Sequence, residues 1–497
     1  MTAVWTVAAS DRRYPALNRD LSVDVAVIGG GVTGLATAVR LVEEGRKVAV
    51  LESLQVGAGT SGQSTGNLYA TLAQGLRSVR SKWNEDALRD VVAVRSEAVD
   101  EVERRIKRYS LDCQFARRPL YLALPDPDDA QQEMIEAEYE ASLLAGLGAR
   151  MVQEAPELPI PVKRALLIEQ QAQYNPLRYV QELARVVAGQ GGQVFEQTAV
   201  ADVDASAGQV HTKGGIVTAR SIVFATHTPK GINLLQAEME PSREYGVAAP
   251  LAGDSHPSGI FWLLDRFHSV RTYQQKNRSW LVVIGEKHST GHGEAGREYY
   301  ARLEQYARER FDIDTVSYRW SAQQYRTADL LPYIGRSAHD NVYVGTGYAS
   351  DGLTWGEVAA AIISRLICGK EVALAKLFSP RRFTPVKSAK KWAELNSKVA
   401  KHLTGDYVNI ASLDSLDSLA AGEGRVVKLN GHSVAAYRAP DTSLSVLSAV
   451  CPHMKCAVKW NAADLTWDCP CHGSRFATDG SVIEGPSYHP LKRMDAR

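Results

Sequence analysis

Two cysteines and two histidines near the end of this 497-residue chain have the residue types and the spacing of metal ligands. They are arranged as Cys451-x-His453 and, after a short intervening segment, as Cys469-x-x-His472. Two thiolates and two neutral imidazoles suit a tetrahedral zinc ion. They also suit a [2Fe–2S] cluster in which cysteines hold one iron and histidines the other, an asymmetry that raises the reduction potential. The ligand set therefore predicts either a structural zinc site or an electron-transfer centre.

A glycine-rich turn in the first part of the chain predicts a nucleotide site. The segment VDVAVIGGGVTGLATAVRLVEEGRKVAVLE, residues 23–52, has the pattern strand, turn, helix, strand. Gly29, Gly31 and Gly34 fall at the turn, where missing β-carbons let the backbone approach a pyrophosphate beside the N-terminus of a helix. Glu52, at the end of the second strand, is placed to bind a ribose diol and disfavours the 2′-phosphate of NADP. These residues predict FAD or NAD without deciding between them.

Further segments carry a family resemblance that favours FAD. In chain order they are GAGTSGQSTGNL at 57–68, VTARSIVFATH at 217–227, RTADLLPYIG at 326–335 and NVYVGTGYASDGLTWGEVAAAIISRLICG at 341–369. Together with the glycine turn they resemble the D-amino-acid oxidase-like family of FAD-dependent oxidoreductases over most of residues 23–375. The resemblance implies a noncovalent FAD, because SAQQYRTAD lacks the cysteine through which some relatives attach the cofactor.

The same resemblance implies which residues contact FAD. The helix that begins near Leu353 would direct its N-terminus at one edge of the flavin ring. His227 stands where the family has a glycine. Beyond the three glycines and Glu52, the implied contacts are Ser61, Ser64, Thr65, Gly66, Asn67, Val200, Ala225, Thr226, Gly347, Asp351, Gly352, Leu353 and Thr354.

The resemblance also implies an antiparallel substrate sheet at about residues 230–320, with side chains that lie over the flavin. Tyr348 is the strongest catalytic candidate, because its loop lies closest to the expected flavin edge. Each of the other candidates fits a structural role as well. The further catalytic candidates are His227, Tyr273, Arg271 and His288, with Arg243 and Tyr245 as additional sheet residues.

The last part of the chain is rich in short β patterns, with the hairpin signal Asn430-Gly431. Its CPHMKC and DCPCHGS strings resemble the Rieske family over roughly residues 405–497. The resemblance implies a [2Fe–2S] cluster on Cys451, His453, Cys469 and His472. It also implies a Cys456–Cys471 disulfide, and a hydrogen bond from Ser474 to a cluster sulfur. A zinc site would leave Cys456 and Cys471 without a role. Phe476 replaces a tyrosine of many high-potential members, and Lys455 replaces a common glycine.

The chain divides into an N-terminal arm (1–22), a FAD-binding and substrate domain (23–378), a linker with a helix (379–404) and a Rieske domain (405–497). The predicted fold class is α/β (α+β): a Rossmann-type FAD-binding domain with an antiparallel substrate sheet, followed by an all-β domain. In the linker, Trp392, Leu395, Val399 and Leu403 form one apolar helical stripe.

Composition excludes several function classes. A net charge of +1, from 57 basic and 56 acidic residues, provides no positive electrostatic field that would attract nucleic acid. No stretch reaches the roughly 18 apolar residues of a membrane span, and the N-terminus lacks a secretion signal, so we expect a cytoplasmic protein. An oligomer remains compatible with the sequence.

The two sites together predict an oxidoreductase. Hydride from a C–H beside an amine or amino-acid nitrogen would reduce FAD, and electrons would leave singly through the Rieske cluster to an external one-electron carrier. Two alternatives stay open. Electrons could run from the cluster to FAD in a reductase or oxygenase component, or the protein could be a non-enzymatic redox-sensing or electron-transfer module.

Overall fold

The computed structural model describes residues 2–156, 158–252, 257–275, 278–292, 297–382, 384–407, 410–413 and 415–494. Short 3-10 turns occupy Val4–Ala8, Thr60–Gln63, Leu234–Glu238 and Ala349–Asp351. None of the helices in these ranges has both the length and the apolar character to cross a bilayer. The α-helices are α1 (Val32–Glu43), α2 (Leu76–Lys82), α3 (Glu85–Tyr109), α4 (Asp129–Leu144), α5 (Pro176–Gly189), α6 (Arg297–Arg310), α7 (Gly352–Ile367), α8 (Ala375–Phe378) and α9 (Pro385–Gly405).

A mostly parallel sheet forms the centre of the first domain. Its strands are β1 (Leu21–Ile28), β2 (Val48–Leu51), β7 (Gln193–Phe195), β8 (Val200–Asp204), β9 (Gln209–Thr212), β10 (Gly215–Phe224), β16 (Tyr333–Arg336) and β17 (Val342–Thr346). The order is β16-β17-β10-β1-β2-β7, with the β8–β9 hairpin attached to β10. Every residue of β2 (VAVL) is buried, as expected of a strand covered on both faces.

Helices α1 and α7 pack together beside this sheet. Small residues allow the close approach: a β-carbon at Gly356 of α7 would lie 2.6 Å from Val32 Cγ1 of α1. Both helices begin at loops that follow a parallel strand. The two N-termini therefore lie at the same edge of the sheet, which is where this fold class places its nucleotide.

A second sheet contains nine strands. They are β3 (Asn67–Leu68), β4 (Ala116–Leu124), β5 (Ala149–Val152), β6 (Arg164–Gln173), β11 (Met239–Pro250), β12 (Ile260–Leu263), β13 (His268–Gln275), β14 (Arg278–Ser289) and β15 (Tyr318–Thr327). The order is β15-β11-β14-β13-β12-β4-β6-β3, with β5 on β6, and the sheet is antiparallel except for the parallel pair β4–β12. The sheet therefore includes strands that precede the predicted range of about 230–320 in the chain.

The C-terminal region consists of two small antiparallel sheets. Linker helix α9 precedes them, and its Val399 and Leu403 pack against the core that contains the four clustered cysteines. Leu395 is buried, but Trp392, predicted to share its apolar stripe, is 43% exposed. The strands are β18 (Gly424–Leu429), β19 (His432–Arg438), β20 (Leu444–Ser448), β21 (Lys459–Asn461), β22 (Thr466–Asp468), β23 (Arg475–Phe476) and β24 (Val482–Glu484).

Candidate functional site

The glycine turn between β1 and α1 forms a tight cradle. Gly29 has a positive φ of 112°, and a β-carbon there would lie 2.4 Å from the Ala225 carbonyl oxygen. A β-carbon at Gly34 would lie 2.0 Å from the Gly29 carbonyl oxygen, so only glycine lets the helix pack this closely. Gly31 is the N-cap of α1. The Glu52 carboxylate accepts the Gly30 N–H at 2.7 Å, and burial raises its pKa.

A cavity of 270 Å³ extends from this turn to the second sheet and to the C-terminal domain. Four of the predicted cofactor contacts do not border the cavity: Gly34, Gly66, Gly347 and Thr354. The predicted contacts that border the cavity are Gly29, Gly31, Glu52, Ser61, Ser64, Thr65, Asn67, Val200, Ala225, Thr226, Asp351, Gly352 and Leu353.

The residues of this cavity fit FAD. Asn67 is 3% exposed and faces the cavity, yet neither its Oδ1 nor its Nδ2 has a hydrogen-bond partner within the described part of the chain. A buried amide without partners is costly unless a ligand satisfies it. Gly352, at the N-terminus of α7, also borders the cavity. The two helix N-termini and the Asn67 amide offer donors for an extended anionic cofactor.

Tyr348 and His227 are the predicted catalytic residues that border the cavity. The Tyr348 hydroxyl lies 3.4 Å from Thr33 Oγ1, and burial raises its pKa. His227 has a positive φ of 69°, a conformation that favours the glycine it replaces in the family. Its ring meets the edge of Tyr325 at a centroid distance of 4.8 Å.

Arg271, Tyr273 and His288 do not border the cavity. Arg271 donates to backbone carbonyls, among them that of Gly66 at 2.8 Å, and Tyr273 accepts from Asn175 at 3.0 Å. These two side chains therefore hold the surrounding loops in place.

On the opposite face of the sheet, His288 stacks on Tyr245 and hydrogen bonds to its hydroxyl at 3.1 Å. Tyr245 also borders the cavity. Arg243 is completely buried, does not border the cavity and pairs with Asp464 of the C-terminal domain.

Several residues of the cavity carried no signal in the sequence. Lys230 borders it, and burial lowers its pKa to about 8 against the opposing charges of Glu484 and Glu52. Glu244 and Gln324 face it from neighbouring strands of the second sheet. They belong to no compact motif, and only the pairing of distant strands brings them together.

The predicted cluster ligands lie in two adjacent loops. Cys451 and Cys469 are buried, and their mutual hydrogen bond lowers the pKa of Cys451 and raises that of Cys469. The rings of His453 and His472 are perpendicular, with centroids 5.1 Å apart. Burial and the neighbouring His453 lower the pKa of His472 to about 4, which keeps it in the neutral form that binds metal.

Further features of the loops fit a cluster. The buried Nδ1 of His472 has no hydrogen-bond partner among the described residues, as expected of an atom that would coordinate iron. Cys456 and Cys471 form the predicted disulfide and join the two loops. Ser474 is buried and hydrogen bonds to the Cys451 thiol. Lys455, which replaces a common glycine, has a positive φ of 61°. Phe476 is fully buried.

The cluster loops contact the wall of the cavity directly. Gln323, which borders the cavity, donates from Nε2 to the Gly473 carbonyl at 2.8 Å. Tyr325 donates to the His472 carbonyl at 3.3 Å. A β-carbon at Gly473 would lie 2.9 Å from the Tyr325 hydroxyl, so the contact is tight. Strand β15 therefore connects both candidate sites within one chain.

Charged groups reinforce this contact. Asp464 accepts hydrogen bonds from Arg243 and Ser321 of the second sheet and pairs with Arg475 of its own domain at 3.2 Å. Glu484 Oε2 lies 3.8 Å from His227 Nδ1. Burial alone would raise the pKa of Glu484, but the adjacent His227 imidazole and the Arg475 charge hold it far below its ordinary value.

Comparison with known proteins agrees with this geometry. The family model described as FAD dependent oxidoreductase (DAO) matches residues 24–366, and the Rieske [2Fe–2S] domain model matches residues 409–495. The Rieske 2Fe-2S iron-sulfur protein YhfW of Bacillus subtilis is 31% identical over 99% of this chain and 97% of its own length. Gamma-glutamylputrescine oxidoreductase of Escherichia coli is 26% identical over 74% of this chain and 89% of its own.

Solved structures share the fold. Glycine oxidase from Geobacillus kaustophilus superposes with a TM-score of 0.60 at 20% identity, covering 73% of this chain and 100% of its own. Together the matches confirm the predicted fold class and both predicted cofactors, FAD and a Rieske [2Fe–2S] cluster, and they replace the zinc alternative.

Proposed function

Because the chain belongs to the DAO family of FAD dependent oxidoreductases and carries a Rieske [2Fe–2S] domain, we propose that it is an amine or amino-acid dehydrogenase. It takes hydride from a C–H beside the nitrogen and delivers electrons singly to an external carrier. When bound in their sites, FAD would supply a two-electron acceptor and the cluster a one-electron acceptor. The two electrons from each oxidation would then leave in two single-electron transfers.

The residues of the chain bind and orient these groups. The turn at Gly29 and the N-terminus of α1 receive the pyrophosphate, and Glu52 receives a ribose. The N-terminus of α7 at Gly352 favours negative charge at the adjoining end of the cavity. Ile284 and Trp320 supply apolar walls there. Such walls favour the neutral amine over the ammonium, and only the neutral form can release hydride from the neighbouring carbon.

Strand β15 contacts both sites, and this contact is the observation that supports the proposed route of electron transfer. Gln323 borders the cofactor cavity and hydrogen bonds to Gly473 of the cluster loop, while Tyr325 lies between His227 and His472. Each contact is within one chain. Electron transfer inside a single subunit is therefore the route that this arrangement supports. Met454, which follows His453 in the chain, is 36% exposed, and we expect an external carrier to contact this loop.

Anaerobic mixing of the holoprotein with amines and N-methyl amino acids tests the proposal. We expect bleaching of the flavin absorbance first and reduction of the cluster afterwards. Reduction of the cluster by a donor protein followed by the flavin would instead support the reverse direction. Specific binding of a partner without reduction by any amine or amino acid would support a module without catalytic activity.

A further inference from the structure

We propose that the substrate carries a second cationic group, and that Glu244 binds this group while the other, neutral amine is oxidised. The inference rests on the proposed function and narrows its substrate class from amines in general to diamines and polyamines. It follows from which charged side chains face the cavity and which do not.

Glu244 places a carboxylate in the wall of the cavity. It lies on β11 in register with Ala322 of β15, and both residues border the cavity. Its side chain is 24% exposed, and its Oε1 lies 3.4 Å from Ser350 Oγ and 3.9 Å from Lys287 Nζ. The lysine is at the outer limit of an ion pair and is itself 41% exposed. The carboxylate thus remains accessible to a second cation.

An arginine that could bind a substrate carboxylate is absent from the described part of the cavity wall. Arginine is the side chain that binds a carboxylate in a bidentate manner, and no arginine borders the cavity among the residues that the structure describes. The buried Arg271 is occupied by backbone carbonyls. Lys230 and His227 border the cavity on its other side, where Glu484 and Glu52 balance them.

Gln324 supplies an independent indication that a polar ligand binds beside Glu244. It is 5% exposed and borders the cavity. Its Oε1 accepts from Ser350 Oγ at 2.6 Å, whereas its Nε2 has no partner among the described residues. Glu244, Ser350 and Gln324 therefore form one polar corner, in which the Glu244 carboxylate suits a cation and the free Gln324 N–H needs an acceptor atom of a bound group. The adjoining Gly246, Ile284 and Trp320 leave an apolar space for the uncharged end.

Three compounds with the same four-carbon chain isolate the effect of the remote group: 1,4-diaminobutane, n-butylamine and 4-aminobutanoate. Their dissociation constants for the oxidised holoprotein can be read from the perturbation of flavin absorbance and from saturation of anaerobic flavin reduction. We expect 1,4-diaminobutane to bind most tightly and 4-aminobutanoate most weakly. Comparable affinity for the diamine and n-butylamine would overturn the inference.

Substitutions then assign the preference to Glu244. Glu244→Gln should weaken the affinity for 1,4-diaminobutane roughly 10- to 100-fold, which is the loss expected for one hydrogen bond between charged groups. The affinity for n-butylamine, which lacks the second cation, should not change. Glu244→Lys should shift the preference toward 4-aminobutanoate. Glu240→Gln is the matched control on the same strand, because Glu240 pairs with Arg326 and does not border the cavity.

The two hypotheses fail in different ways. An unchanged diamine affinity in Glu244→Gln would contradict the role of Glu244, whatever the rate of flavin reduction. Absence of flavin reduction with every amine would contradict the proposed function, while the equilibrium dissociation constants would still test the preference for a dication.

Discussion

Replacing Asp464 by asparagine should separate the two redox sites without disturbing either. Asp464 pairs with Arg243, a completely buried guanidinium on the second sheet, and the variant leaves that cation without its closest counter-charge. Within the described residues, the remaining carboxylate near Arg243 is Glu484, whose Oε1 lies 3.7 Å from Nη1. Arg475 keeps Asp468 at 3.2 Å and Glu484 at 2.6 Å.

The expected cost follows from burial. Removing one partner of a buried ion pair costs about 3–5 kcal/mol, because the other charge stays buried and unpaired. The nearby Glu484 places this variant at the lower end, about 3 kcal/mol. Part of that cost falls on the docking of the Rieske domain, since Arg243 and Asp464 belong to different domains. We therefore expect cluster reduction to slow at least about tenfold, which corresponds to 1.4 kcal/mol.

Anaerobic stopped-flow measurement resolves the two steps. The rate of flavin reduction by substrate should stay unchanged in Asp464→Asn, because Asp464 does not border the cavity, whereas the rate of cluster reduction should fall. Asp417→Asn, at an exposed aspartate of the same domain, should change neither rate. The double variant Arg243→Met with Asp464→Leu should recover stability relative to the single change. Unchanged cluster reduction in Asp464→Asn would refute the role of this ion pair in docking.

Other predictions concern the cofactor cradle, the cluster and pH. Gly34→Ala should abolish FAD retention after gel filtration, because its β-carbon would lie 2.0 Å from a carbonyl oxygen, whereas Gly189→Ala, with open space around it, should retain FAD. Phe476→Tyr should raise the midpoint potential of the cluster by ~40–60 mV in a redox titration, the equivalent of one added hydrogen bond, and an unchanged or lower potential would contradict this. Arginine charges outweigh burial and hold the pKa of Asp464 and of Glu484 below ordinary values. The stability that these two carboxylates contribute is complete above the unfolded carboxyl pKa of ~4 and is lost as pH falls toward their folded pKa values. The denaturation midpoint should therefore decrease once the pH is below the unfolded pKa, and it should decrease less in Asp464→Asn.

Sequence reasoning is strongest where the chemistry depends on a few residues in one loop. The glycine turn and the two cysteine–histidine pairs are each contained in short segments, so spacing indicates a nucleotide site and a metal site. The family resemblances then favour FAD over NAD and a [2Fe–2S] cluster over zinc, and the comparisons confirm both cofactors. The Cys456–Cys471 disulfide followed from the Rieske resemblance in the same way. His227 stands where the family has a glycine, and its positive φ gives the physical reason why glycine is common there.

Long-range pairing explains what the sequence did not predict. Strand β4 joins the second sheet through a parallel pairing with β12, although more than a hundred residues separate them, and no local pattern encodes that partnership. Local sequence also does not predict the position of Arg243, which the family resemblance places over the flavin. One step of strand alternation turns it to the opposite face, where a distant aspartate neutralises it.

Side chains of the substrate wall were missed for a related reason. Glu244 and Gln324 each stand among several other polar residues of their strands, so no local pattern distinguishes them. Their shared cavity appears only when β11 and β15 pair and the loop that carries Ser350 closes over them.

The most direct test of the account measures electron transfer between the two sites at different protein concentrations. Holoprotein containing FAD, iron and acid-labile sulfide would be reduced by one equivalent of substrate without oxygen, and the flavin and cluster signals followed in time. We predict that the cluster becomes reduced after the flavin, with a first-order rate constant that does not change on dilution. A cluster that stays oxidised beside reduced flavin, or a rate proportional to protein concentration, would contradict transfer within one chain.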